Sequence, residues 1–154
     1  MTAPAMFADI LYRSGKAPWD LGAPQPAVAA LIAHGAVQGR VLDAGCGTGH
    51  HAVALARAGC DVVGIDGSPT AVRRARLNAR AAGVEVEFRC GDVVEELCNA
   101  LHSFDAVLDS KCFDNLPSTA DRRRYAAALH HVMKPGGLLY MLNFARGDSV
   151  DGVR

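Results

Sequence analysis

The ten residues RVLDAGCGTG, at positions 40–49, hold the pattern in this chain with the most chemistry in it. A short apolar run ends in Asp43, and Gly45, Gly47 and Gly49 follow at every second position. Glycine takes positive φ without a steric penalty and has no Cβ, so such a turn at a strand mouth lets backbone approach a bound ligand closely. The position that would complete the GxGxxG of dinucleotide sites is His50, so that pyrophosphate-binding fingerprint is not met. Asp43 would project a carboxylate into the same crevice, and an anion there suits a ligand that carries positive charge. S-adenosylmethionine, with a sulfonium and an ammonium at its methionyl end, fits that requirement better than NAD does.

Two more acids stand where strands should end. Asp66 closes DVVGID at 61–66, and a carboxylate there can accept hydrogen bonds from both ribose hydroxyls of an adenosine. Its other possible role, capping the next helix, is already filled by Ser68, which stands directly before Pro69. Gly91 and Asp92 follow the run 84–90 and can bring a backbone N–H and a carboxylate to an adenine edge, although a Gly-Asp pair is also common in plain turns.

These acids need a scaffold, and the alternation of apolar runs supplies one. Strands are expected at 40–44, 61–66, 84–90, 104–109 and 137–144, with helices at 50–58, 69–82, 93–101 and 119–133 between them. At 84–90, Val84, Val86 and Phe88 alternate with charged residues, as a half-exposed edge strand would. Strands separated by helices imply parallel pairing through right-handed crossovers. The expected fold is therefore α/β: a doubly wound, Rossmann-like, mostly parallel five-stranded sheet with helices on both faces. In such sheets ligands sit beyond the carboxyl ends of the strands, which gathers Asp43, Asp66, Asp92 and Asp109 onto one rim. The 154 residues read as one domain: an N-terminal lid and helix over 1–39, a cofactor-binding core over 40–144 and a polar tail over 145–154.

Composition narrows the partners. Half of the residues are hydrophobic and 21% are charged, with 16 basic against 16 acidic. A zero net charge gives no reason to expect nucleic acid or an anionic membrane. The basic clusters Arg73-Arg74-Ala75-Arg76 and Arg122-Arg123-Arg124 fall within expected helices and read as solvated faces. Five cysteines without a CxxC pair, and an N-terminus unlike a signal peptide, point to a reducing cytoplasm. The adjacent pairs His50-His51 and His130-His131 lack the i,i+4 spacing of a helical metal site, and no metal is expected. His50 can line the ligand pocket, whereas the other three read as packing or surface residues.

VLDAGCGTGHHAVALA, VVGIDGSPTAV, FRCGDV, FDAVLDS and MKPGGLLYML, in that order and spacing, resemble the class I S-adenosylmethionine-dependent methyltransferases over about residues 18–144. The resemblance implies that Asp43, Gly45, Cys46, Gly47 and Gly49 hold the methionyl moiety and Asp66 the ribose. It further implies Asp92 at the adenine, with Gly67, Gly91 and Val93 alongside, and Asp109 facing the methyl group and the acceptor. PWDLGAPQP, at 18–26, is similar to the opening of the thiopurine methyltransferase-like and tellurite-resistance-like small-molecule enzymes, which implies Trp19 as a cofactor lid, a helix of the sheet being the other surface its indole can pack on. Its indole face also attracts a sulfonium. That narrower family would carry a glycine and a histidine near positions 111 and 114, where this chain has Lys111 and Asp114. Methyl transfer needs orientation and a dry site, and a base only when the nucleophile arrives protonated. Asp109, Ser110 and Asp114 are the groups expected to orient or deprotonate a small-molecule acceptor.

The family's sheet normally carries a C-terminal antiparallel hairpin after the fifth strand, and ARGDSVDGVR is too short and polar to form it. The expectation is a truncated methyltransferase, with a non-catalytic cofactor-binding or interaction module of the same fold as the alternative. An apolar fifth strand without a neighbour is a template for pairing, so a homo-oligomer through that edge is expected.

Overall fold

A computed structural model of the chain describes residues 1–98 and 100–143. Phe144 and the polar segment 145–154, where the expected fifth strand ends and the tail begins, lie outside the described residues. In chain order the elements are α1 (Ala3–Ser14), α2 (Pro26–Ala33), β1 (Arg40–Ala44), α3 (His50–Arg57), β2 (Asp61–Asp66) and α4 (Pro69–Ala82). They continue with β3 (Glu87–Cys90), α5 (Val93–Leu97), β4 (Phe104–Ser110), a 3-10 turn at Phe113–Asn115, α6 (Thr119–Val132) and β5 (Met133–Leu142).

The five strands form one sheet in the order β3-β2-β1-β4-β5, and every pairing is parallel. β1 is central, and its residues 41–44 are all buried, as in a parallel strand covered on both faces. Val41 and Val62 point toward α2, α3 and α4, where Val28, Leu55, Val72 and Ala75 meet them. Leu42, Val63, Ile65 and Val107 point the other way, onto Leu97 of α5 and Tyr125, Leu129 and Val132 of α6. Consecutive strands step one way from β1 to β3 and the chain then returns to the other side at β4. The mouth between β1 and β4 is thus the switch point at which ligands bind in open α/β sheets.

Three boundaries differ by three or more residues from the sequence-based expectation. β3 starts at Glu87 because the Val84 N–H bonds back to the Ala79 carbonyl at the end of α4, which keeps residues 84–86 off the ladder. α5 stops at Leu97. β5 begins at Met133, since the sheet register jumps from Phe104↔Met133 to Ala106↔Leu138 and absorbs the Lys-Pro-Gly-Gly segment as an irregularity. Leu138, Leu139 and Met141 of β5 remain exposed. No helix among the described residues is long and apolar enough to cross a membrane.

Candidate functional site

A cavity of about 900 Å³ opens at the carboxyl ends of the strands, within the ~300–1,000 Å³ range of small-molecule sites. Three bodies enclose it: the glycine turn with the β2 and β3 ends, the loop after β4, and an N-terminal cover made of α1 and the strap that follows it.

The glycine turn is held from several sides. Gly45 and Cys46 donate their N–H groups to the Ile65 carbonyl at 2.9 and 3.0 Å, and Asn78 Nδ2 donates to the Thr48 carbonyl at 2.9 Å. Gly45, Gly47 and Gly49 all have positive φ. Space for a ligand is not the whole reason for three glycines. A Cβ at Gly45 would sit 2.9 Å from Cys112 Cβ, one at Gly47 would sit 2.7 Å from Tyr12 Oη, and one at Gly49 would sit 2.8 Å from Ala75 Cβ. The loop after β4, α1 and α4 each press on one glycine.

The acids do not share one rim as expected. Asp66 lines the cavity: its Oδ1 accepts from the Ser68 N–H at 2.8 Å and its Oδ2 from the Gly47 N–H at 2.9 Å. Burial raises its pKa, and those two N–H groups offset part of the rise. Asp92 also lines the cavity and caps α5 through Oδ1 alone, which accepts from Val94 N and Glu95 N. Gly67, Gly91 and Val93 stand beside them.

Asp43, expected to project into the crevice, is instead sealed beneath the turn with 1% exposure, away from the cavity wall. Neither of its oxygens has a hydrogen-bond partner. Burial first, and then the charges of Asp66 and Asp109, push its pKa up to about 7. The Ala52 N–H offsets this weakly without reaching hydrogen-bond geometry.

Asp109 departs from its expected place as well. It is fully buried and off the cavity wall. Its Oδ1 accepts from Cys112 N at 2.8 Å, its Oδ2 from Tyr125 Oη at 2.7 Å, and the Phe113 N–H donates to both. A carboxylate engaged this way organises a loop and does not face an acceptor. Ser110 lines the cavity, whereas Asp114 lies on the 3-10 turn outside the lining.

Trp19 reaches the cavity and also packs within the protein. Its indole meets the Tyr12 ring edge-on at 6.0 Å and donates from Nε1 to Tyr12 Oη at 2.8 Å. The strap is pinned twice more: Thr48 Oγ1 donates to Asp20 Oδ1 at 2.9 Å, and Gln25 N donates to His51 Nε2 at 3.0 Å. His51, expected to be a bland packing residue, therefore holds the cover shut. Burial lowers its pKa to about 4, so it stays neutral and able to accept. Under α1, Asp9 accepts from Ser68 Oγ at 2.6 Å and from Thr70 N at 3.0 Å, fastening that helix to the start of α4.

Sequence reasoning gives Tyr12, Asp9, Asp20, His51 and Tyr125 no such roles. The helix that carries two of them has a legible signal, with Thr2 as cap, Pro4 in the first turn and Gly15 as the stop.

A family model described as "Methyltransferase domain" matches residues 41–137. Among curated proteins, the chain is 34% identical over 132 residues to a 2-heptyl-1-hydroxyquinolin-4(1H)-one methyltransferase of Mycobacteroides abscessus, covering 85% of this chain and 57% of that protein. A solved structure described as "Conversion of a Disulfide Bond into a Thioacetal Group during Echinomycin Biosynthesis" is 42% identical with a TM-score of 0.79, covering 88% of this chain and 58% of its own. The Burkholderia thailandensis 1,6-didemethyltoxoflavin-N1-methyltransferase, solved with 1,6-didemethyltoxoflavin and S-adenosylhomocysteine, is 27% identical with a TM-score of 0.68, covering 90% and 64%. These relatives lend no support to the narrower thiopurine or tellurite-resistance likeness. The chain spans about half the length of the curated relatives it matches.

Proposed function

This chain belongs to the class I S-adenosylmethionine-dependent methyltransferases, and we propose that its cavity binds that cofactor beside a small-molecule acceptor and transfers the methyl group between them. The observation that carries this reading is the pairing of Asp66 with the glycine turn at the cavity wall. One carboxylate shapes the turn and keeps lone pairs for the ribose hydroxyls.

The residues present suit the cofactor. Asp92 caps its helix with Oδ1, which leaves Oδ2 to accept from the adenine amino group. Gly67, Gly91 and Val93 form the walls beside the nucleoside. Gly45, Cys46, Gly47 and Gly49 form the turn against which the methionyl end lies. Asp43 supports the reading differently. An unpartnered buried carboxyl beneath that turn is relieved by a cationic ligand above it.

When bound, S-adenosylmethionine supplies a methyl group already activated by a sulfonium. The protein's part is orientation and exclusion of water. α1 and the strap carrying Trp19 exclude water from above. Ser110 orients the acceptor, and Asp109 acts through the loop it holds. Phe7 and Leu21, both at the cavity and more than half exposed in the free chain, give the acceptor side an apolar mouth. With Leu116, Pro117 and Trp19 they suit a flat, largely apolar acceptor, in keeping with the quinolone named for the mycobacterial relative. The five free thiols suit a reducing cytoplasm, and the exposed face of β5 suits pairing with a second copy.

Calorimetric titration with S-adenosylhomocysteine tests the reading. Saturable heat and a raised unfolding temperature are expected, and a folded sample with neither overturns it.

A further inference from the structure

The loop after β4 supplies one whole side of the cavity through Ser110, Lys111, Cys112, Asn115, Leu116 and Pro117. Its course is unusual from the first step, because Lys111 takes a positive φ of 68°. A side-chain-bearing residue holds that conformation only where its surroundings impose it. Two contacts do so. The Asp109 carboxylate gathers the N–H groups of Cys112 and Phe113, and Cys112 seats directly against Gly45, where no Cβ would fit. The loop that faces the acceptor thus rests on the first glycine of the cofactor turn.

Asp109 is in turn held by α6, whose Tyr125 also reaches the cavity lining. Tyr125, in the middle of α6 and 1% exposed, donates its hydroxyl to Asp109 Oδ2 at 2.7 Å. Its ring packs at 6.4 Å from that of Phe113, and Arg122 covers the same Phe113 ring at 5.4 Å. α6 therefore grips the loop at both its carboxylate hinge and its aromatic tip.

We propose that Tyr125 is a positioning residue for methyl transfer, fixing through Asp109 the 110–117 loop and so the acceptor's distance from the cofactor. The assignment rests on the methyltransferase reading above. It is separable from that reading, because the loop can be observed without turnover. Burial keeps both the Tyr125 phenol and the Cys112 thiol well above their ordinary pKa values. Tyr125 thus remains a donor, and the Cys112 thiol stays protonated and slow to react while the loop is held.

Tyr125→Phe removes the hydroxyl and keeps the ring. Site-resolved alkylation with iodoacetamide, read by mass spectrometry, should show Cys112 reacting roughly ten- to hundredfold faster, the range a lost hydrogen bond to a carboxylate sets for local opening. Hydrogen exchange should quicken over 110–117 and not in the sheet. S-adenosylhomocysteine affinity should fall far less than in Asp66→Ala, since a loosened Cys112 shifts against Gly45 but leaves the Asp66 contacts in place. Tyr140→Phe, which removes a hydroxyl bonded to the Ala36 carbonyl elsewhere, should leave Cys112 as slow as before. Unchanged Cys112 reactivity in Tyr125→Phe overturns the proposal. So does a variant that unfolds or loses as much S-adenosylhomocysteine affinity as Asp66→Ala, since the phenol would then be a general core group. A parent protein that never binds S-adenosylhomocysteine defeats the functional reading instead, and the Cys112 rates still decide whether Tyr125 holds the loop.

Discussion

The Gly47 N–H donates to Oδ2 of Asp66 across 2.9 Å, joining the turn after β1 to the tip of β2. The acid assigned to the ribose is therefore also a strut of the glycine turn. Any substitution of Asp66 acts on ligand contact and on the shape of the site together.

Asp66→Ala is accordingly expected to weaken S-adenosylhomocysteine binding by at least about 1.5–3 kcal/mol, the range for hydrogen bonds to a charged group. Asp114→Ala, outside the cavity lining, should leave affinity nearly unchanged. Calorimetry on the two variants checks this, and equal losses would misplace the ribose.

Asp43 makes stability depend on pH in the sense opposite to an ordinary paired acid. Folding raises its carboxyl from 3.8 to about 7, so the folded state holds the proton more tightly. Stability should fall as pH climbs from about 4 to 7 and then level off, by up to ~4 kcal/mol. Asp66 and Asp109 are shifted in the same direction. Thermal unfolding at pH 5 and pH 8 should show the ligand-free protein favoured at pH 5 by less than Asp43 alone would give, because His51, lowered from 6.5 to about 4, opposes it there. Asp43→Asn should shrink that difference while weakening cofactor binding.

Asp9 has the other sign. Its hydrogen bonds to Ser68 and Thr70 hold its carboxyl below the ordinary 3.8, so its contribution is full above that value and fades as pH falls through the lower folded one. Asp9→Ala should cost about 1.5–3 kcal/mol at neutral pH, measured by urea unfolding, and should speed cofactor release by loosening α1.

Gly49 and Gly59 both have positive φ, but only Gly49 is crowded: a Cβ there would stand 2.8 Å from Ala75 and 3.0 Å from Phe88. Gly59→Ala should cost about 1–2 kcal/mol from conformation alone. Gly49→Ala adds about 1–3 kcal/mol of overpacking. Denaturant midpoints should separate the two variants.

The β5 edge predicts association. Leu138, Leu139 and Met141 are 56%, 43% and 40% exposed, and zero net charge offers no repulsion between copies. Sedimentation of the 154-residue chain at micromolar concentration should show a dimer or larger species, and Leu139→Lys should reduce it. A clean monomer would refute the pairing.

Much of the fold was legible because the runs at 41–44, 62–65 and 106–108, apolar apart from Asp43, are buried on both faces, and such runs interrupted by helices leave few topologies. The β3 boundary was not, because the alternation of Val84, Val86 and Phe88 ignores the bond by which the end of α4 detains Val84. Asp66 and Asp92 were found at the cavity because strand-end acids have a recognisable local setting. Asp43 and Asp109 were misplaced for the complementary reason. Type and spacing put a carboxylate at a strand end, but only the contacts of Tyr125, Cys112 and Phe113 reveal that one is already engaged. Asp9, Tyr12 and His51 escaped notice because each acts across some tens of residues, on partners that no local pattern pairs with it.

Trp19 is the one tryptophan in 154 residues, and it stands at the cavity with its indole N–H bonded to Tyr12. The protein thus carries its own optical probe. Light absorbed at the red edge of the aromatic band excites this indole and none of the three tyrosines. Emission therefore comes from a single point on the wall of the site. Its intensity and wavelength should register an arriving ligand, and a stopped-flow trace can time that arrival without a dye or a label.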